Sequence, residues 1–204
     1  MYIPKQFEET DWPAIAAFLQ EFSFGLLVTT GPDGLPTATH VPLELHETSG
    51  TRTLRGHLAR ANPQWKTFGE HLALAVFSQP HAYVSSSWYN HVNVPTWNYL
   101  AVHLYGPIRL VEGDELVEQM RQQVATYEKG RANAFSLEKF SEKEIQQHLR
   151  GIVGFELTIE TVQAKAKLSQ NRDEESYRNV IAHLGESDDL ADRRIAEEMR
   201  QRRP

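Results

Sequence analysis

Residues 77–106 read FSQPHAYVSSSWYNHVNVPTWNYLAVHLYG, and both fold and function turn on this stretch. It holds two of the four tryptophans and four of the seven tyrosines. The hydroxyls of Ser85, Ser86, Ser87 and Thr96 and the amides of Asn93 and Asn98 are threaded between the rings. A plain core strand would be aliphatic and nearly free of hydroxyls. Aromatic rings supply wide, stiff, flat area with a polar handle. Two readings are open: an aromatic sheet face packed on itself, or the wall of a pocket for a flat ligand with polar edges.

Working outward, AYVSSSWY (82–89) and PTWNYLAVHLYGPIRLV (95–111) read as strands. Pro95 is tolerated as a first strand residue, and Gly106-Pro107 marks a bend or bulge in the second strand. LALAVFS (72–78) is apolar on both faces, which suits a central strand. FGLLVTT (24–30) is a buried strand, and GPDG (31–34) is a turn. That turn has no P-loop lysine and no helix behind it. Residues 36–45 and 52–59 are expected to form two strands around the polar turn HETSG. In GIVGFELTIETVQAKAKL, from Gly151, Val153, Phe155, Leu157 and Ile159 alternate with Gly154, Glu156 and Thr158. This predicts one strand with a buried and a wet face.

Helices are expected after Thr10 or Asp11, with Pro13 in the first turn, and from Asn62-Pro63 onward. Residues 114–129 place Leu116, Met120, Val124 and Tyr127 on one face, and Ser141 with Glu144 opens a helix over 141–150. Two helices close the chain. Tyr177, Val180, Ile181 and Leu184 stripe the first, and Leu190, Ile195 and Met199 the charged second. Six or seven short strands joined mostly by turns predict a mainly β fold, an antiparallel barrel with added helices. One domain is expected over 1–204, with 168–204 as its helical C-terminal extension.

The chain has 204 residues and no cysteine, which rules out disulfides and thiolate metal sites within it. MYIPKQFEETDW carries no apolar signal core, and no run approaches the roughly 20 apolar residues of a membrane span. A soluble, cytoplasmic protein is the expectation. The net charge of −6 opposes nucleic-acid binding through the global field, although a local basic patch stays open.

The best anion-binding candidate is GHLARANPQWK (56–66), where Arg60 ends a strand, Asn62 caps a helix and Lys66 lies one turn in. The alternative is surface charge flanking a turn. KLSQNR (167–172) packs cations, a hydroxyl and amides where the last strand gives way to the tail, as a ligand contact or as a helix-capping loop. The nine histidines show no zinc spacing, and His81, His91 and His103 read as hydrogen-bonded sheet residues. HExxH, GxGxxG and GxSxG are absent.

Together these pieces resemble the PaiB-type family of FMN-binding negative transcriptional regulators. MYIPKQF (1–7), GHLARANPQWK (56–66), PHAYVSSSWY (80–89), VPTWNYLAVHLYG (94–106), IVGFELTI (152–159) and KLSQNR (167–172) carry the likeness nearly end to end. The resemblance implies an FMN-binding split β-barrel with C-terminal helices, related to the pyridoxamine-phosphate-oxidase-like flavoproteins. It implies a homodimer with FMN at its interface. Arg60, Asn62 and Lys66 would face the phosphate, with His57 pointing towards the flavin. Ser78, Tyr83, Ser85, Trp88, Thr96, Trp97 and Asn98 would line the ring site. Lys167, Ser169, Gln170 and Asn171 would approach from the strand–helix junction. The chain departs from the pattern at Ser87, where the family often has proline, and in the short segment between Trp88 and Val94. Both departures bear on the rim over the flavin.

The leading expectation is thus an FMN-binding transcriptional repressor of this kind. The alternatives are an FMN-dependent oxidoreductase of the split-barrel reductase or oxidase type, and a haem-binding relative. No helix-turn-helix is legible. The last helix carries Arg193, Arg194, Arg200, Arg202 and Arg203, but Asp192, Glu197 and Glu198 offset them, as on a solvated helix face. Direct DNA contact is left open.

Overall fold

The computed structural model describes residues 1–203. Its elements in chain order are α1 (Trp12–Glu21), β1 (Phe24–Thr30), β2 (Pro36–Pro42), β3 (Glu44–Thr48), β4 (Thr51–Ala59), β5 (Ala73–Phe77), β6 (His81–Val84), β7 (Thr96–Gly106), β8 (Ile108–Val111), α2 (Gly113–Glu128), α3 (Glu142–Leu149), β9 (Ile152–Thr158), β10 (Thr161–Lys167), α4 (Glu174–Gly185) and α5 (Leu190–Arg202). Short 3₁₀ turns occupy Lys5–Phe7, Pro63–Thr67, Ser86–Trp88 and Leu137–Lys139.

The strands form two sheets. One runs β10-β7-β5-β1-β2 with β6 paired to β7, and the other runs β3-β4-β9-β8. The chain groups into two compact units, each assembled from separated segments. One unit comprises Met1–Phe18, Val76–His103 and Val162–Pro204, and the other comprises Leu19–Ala75 and Leu104–Thr161.

The mainly β architecture is as expected, but the strands are more numerous and shorter. The run from Gly151 breaks into β9 and β10, because Ile159 N–H donates to the Arg52 carbonyl (2.9 Å) and Glu160 N–H to that of Tyr105 (2.9 Å), turning a corner. Residues 36–45 split before Leu43, whose N–H goes to the Ser23 carbonyl (2.8 Å). HETSG is only partly a turn, since β3 runs to Thr48 and the reversal falls on Ser49 and Gly50, both at positive φ. AYVSSSWY stops being strand at Val84. There the Ser85 hydroxyl accepts from Ser87 N–H (3.2 Å) and winds the chain into a 3₁₀ turn.

The wet face expected on β9 is not wet. Gly154 and Glu156 are as buried as Val153 and Phe155, because α2 covers that side. A Cβ at Gly154 would meet Leu116 Cδ1 at 2.4 Å, so glycine is what lets the helix settle there. The bend at Gly106-Pro107 is where β7 passes into β8, and the Ser141–Glu144 capping box forms in full. In the unit that contains α4 and α5, Tyr177, Val180, Leu184, Ile195 and Met199 are buried, with the Tyr177 hydroxyl donating to the Met199 carbonyl (2.7 Å).

Candidate functional site

The candidate residues fall into two groups, one in each unit. The first group lies at the end of β4. Asn62 caps the turn that follows, accepting from Gln64 N–H (3.0 Å) and donating to Thr39 Oγ1 (2.9 Å). The expected helix is here only the 3₁₀ turn Pro63–Thr67, closed when Phe68 N–H bonds the Trp65 carbonyl (3.3 Å). Arg60 donates through Nε to the Arg150 carbonyl (2.9 Å) and through Nη2 to the Ile152 carbonyl (2.8 Å). These bonds fix its guanidinium in orientation. Trp65 Nε1 in turn donates to the Arg60 carbonyl (3.1 Å).

The Trp65 indole then lies 6.0 Å from the Arg60 guanidinium carbon and 5.9 Å from Lys66 Nζ. Among the described residues neither cation meets a carboxylate within ion-pair distance. Two cations thus gather beside one ring, with the Arg60 guanidinium held in orientation by two carbonyls. A phosphate matches that donor set.

His57 does not join this group. It sits on β4 opposite Gly154, half-buried and hydrogen-bonded to Gln123 of α2, and burial holds its imidazole below the usual range against the raising effect of that bond. It is a neutral residue facing a helix.

The second group lies on β6, β7 and β10. In antiparallel register Tyr83 stands opposite Trp97 and His81 opposite Tyr99. The Tyr83 and Trp97 rings meet edge to face at 5.7 Å, and His81 lies 5.8 Å from Trp97. Tyr83 is 47% and Trp97 50% exposed. Together they form an exposed aromatic patch whose rings are steeply inclined to one another, 70° for Tyr83 and Trp97 and 54° for His81 and Trp97.

Strand alternation puts Thr96 and Asn98 on the other side. Asn98 is fully buried, accepting from Ser169 Oγ (3.0 Å) and donating to Met199 Sδ (3.4 Å). Asn98 and Ser169 therefore join β7 to the start of the tail and to α5 and do not line the open face. Lys167 Nζ donates to the Thr96 hydroxyl and to the Trp97 carbonyl (2.8 Å), and burial, then Lys165 and Arg172, draw its pKa down. Gln170 closes a local turn through the Leu168 N–H (2.8 Å) and the Ala166 carbonyl (2.5 Å). Ser78 and Asn171 are exposed. Ser85 caps the 3₁₀ turn, and Trp88 stacks on His183 of α4 at 4.9 Å and 13°.

Sequence reading missed two residues that build these groups. Gln64 is 1% exposed and donates to the Leu27 carbonyl, Thr29 Oγ1 and the Thr37 carbonyl (3.1–3.2 Å), while accepting from Thr39 (2.5 Å). It pins the Asn62–Lys66 turn to β1 and β2. A glutamine in a five-residue turn gives no periodic signal. Lys165, 8% exposed, lies 5.1 Å from the Tyr99 ring with its Nζ on the Tyr2 carbonyl (3.2 Å), and the alternation of β10 alone does not reveal it.

The fold is that of the split-barrel flavoproteins. The chain belongs to the family described as "Putative FMN-binding domain", whose model matches residues 1–161, and FMN is accordingly its cofactor. Over 200 residues it is 46% identical to the protease synthase and sporulation protein PAI 2 of Bacillus subtilis (strain 168), covering 98% of this chain and 96% of that one. The PaiB-type resemblance is thereby established. Among solved structures, the flavocytochrome Anf3 from Azotobacter vinelandii superimposes with a TM-score of 0.62 at 19% identity, covering 87% of this chain and 78% of that one. The FAD and heme binding protein from Mycobacterium smegmatis does so with 0.61 at 15%, covering 84% and 78%. These two share the fold. No helix among the described residues is long and apolar enough to cross a membrane.

Proposed function

We propose that the chain is an FMN-binding regulatory protein that works as a homodimer. Arg60 and Lys66 are read as phosphate-binding cations, with Asn62 shaping the turn that presents them; in the other unit, the exposed Tyr83–Trp97 pair is read as a separate aromatic surface for a planar ring. Lys167 is held on the other side of β7, by the Thr96 hydroxyl and the Trp97 carbonyl. The observation that carries this reading is the pair of cations on Trp65 without an acidic partner. The flavin, when bound, supplies electron-transfer chemistry, while this chain's own residues bind and orient it. The regulatory role is supported by the 46% identity to a protein named for protease synthesis and sporulation.

Part of the positive charge of the tail is already paired. Arg194 is paired with Glu197 and Glu198, Arg202 with Glu9 and Glu198, and Arg203 with Glu174. Phosphate binding there would have to break these pairs. The reading is therefore regulation through a protein partner or a sensed metabolite. Titration of the apo chain with FMN, followed by quenching of flavin fluorescence, tests the cofactor site. Saturable binding, weakened about tenfold in Lys66→Ala, is expected, and binding indifferent to both Lys66→Ala and Trp97→Ala would remove both groups. A gel shift at physiological salt tests the second half, and tight sequence-specific retardation would overturn it.

A further inference from the structure

A cavity of about 170 Å³ lies wholly within the unit built from Leu19–Ala75 and Leu104–Thr161, between the start of α2 and the end of α3. Its floor is aliphatic. Val111, Leu116 and Val153 are buried there, and Leu149 of α3 packs against Val111 and Leu116. Arg60 forms a wall, fixed by its bonds to the Arg150 and Ile152 carbonyls.

Besides Arg60, two charged side chains of opposite sign line the cavity. Glu112 stands just before α2, and Arg150 ends α3. Both are exposed, and Glu112 makes no capping bond to its helix. Among the described residues neither has an ion-pair partner, and they do not pair with each other. The nearby Glu115 is spent on Arg109. An aliphatic floor under an unpaired carboxylate and an unpaired guanidinium complements a ligand that is apolar at one end and zwitterionic at the other. A plain carboxylic acid would leave Glu112 unmatched, and an amine would leave Arg150 so. A dianion would be repelled by Glu112 and by Asp114 in the first turn of α2. The floor offers no partner to a polar side chain. An apolar cavity of about 150 Å³ accepts benzene, so this volume suits roughly six to nine non-hydrogen atoms.

We infer that the cavity binds a small aliphatic amino acid of the size of valine or leucine. Arg150 holds its carboxylate, Glu112 holds its ammonium, and its branched side chain rests on the aliphatic floor. This gives a ligand class to the sensed-metabolite reading proposed above, and it rests on that reading for its purpose but not for the binding itself.

The test is a titration of the full chain with L-leucine up to about 10 mM, with and without FMN, followed in amide and methyl NMR spectra. Saturable shifts of the Gly113 amide and the Leu149 methyl groups are expected in both states. Glu112→Gln and Arg150→Gln should each raise the dissociation constant about tenfold at unchanged melting temperature. Isocaproate, which lacks the ammonium, and isoamylamine, which lacks the carboxylate, test the same contacts without a variant and should each bind about tenfold more weakly than leucine. Absence of a saturable shift, leucine binding indifferent to both substitutions, or either analogue binding as tightly as leucine overturns the inference. Displacement of leucine by saturating FMN would assign the cavity to the flavin phosphate and overturn it as well. FMN uptake is read separately from its fluorescence, so a failure of the flavin reading is distinguished from a failure of this one.

Discussion

At the scale of single residues, the two groups differ in what a substitution disturbs. Arg60→Ala removes a fixed guanidinium and should weaken FMN binding by about 1.5–3 kcal/mol. It also frees the Arg150 and Ile152 carbonyls, so melting temperature should fall with it. Lys66 is exposed and makes no such bonds, so Lys66→Ala should weaken FMN about tenfold at unchanged melting temperature. A matched drop in both quantities for Lys66→Ala would count against the phosphate role. Burial alone would raise the Glu156 carboxyl, but the Arg55 and Arg109 bonds outweigh burial and hold it below the ordinary 4.5. Its contribution is present above that value and lost as the pH falls further. Glu156→Gln should destabilise the fold by about 3 kcal/mol at neutral pH, read by urea unfolding. The motif at 56–66 was legible because cations, a cap and a proline sit close in sequence. That His57 faces α2 and that Asn98 and Ser169 bond each other in the interior was not legible, because a residue's place in a motif does not say which face of the strand it occupies.

At the scale of elements, the turns were easier to read than the lengths of what they join. Gly106 announced the corner between β7 and β8 correctly, and the structure gives the reason: a Cβ there would stand 1.6 Å from the Thr158 carbonyl oxygen. Gly106→Ala should therefore cost about 3 kcal/mol or prevent folding, and wild-type stability in that variant would refute the close approach. Ser141→Ala removes one half of the α3 capping box and should cost about 1 kcal/mol, measured as loss of helix at fixed denaturant. The second face of β9 could not be read as buried, because Glu156 is a charged residue and only its cross-strand arginines make burial tolerable. The 3₁₀ turn after Asn62 was taken for a helix because the cap and proline that start both are the same. What shortened it was Gln64, anchored sideways to β1 and β2.

At the scale of the whole molecule, the homodimer proposed above should elute as a particle of twice the 23.3 kDa chain mass by light scattering. A single-chain mass with FMN bound would separate the cofactor reading from the dimer reading. Ending the chain before Lys167 removes α4, α5 and the bonds from Lys167 and Ser169 to β7. Loss of flavin and of the dimer is expected, and a truncated flavin-loaded dimer would refute it. The mainly β class was legible from strand spacing, whereas the grouping of distant segments was not, since periodicity is local and contacts are not. That grouping has a consequence for biosynthesis. Once residue 161 has left the ribosome, every segment of the unit built from Leu19–Ala75 and Leu104–Thr161 is available for assembly. The other unit includes residues 1–18 but must wait for those from Val162 onward, so a stall in translation just after residue 161 has emerged should strand a half-built nascent polypeptide with residues 1–18 unprotected from proteases.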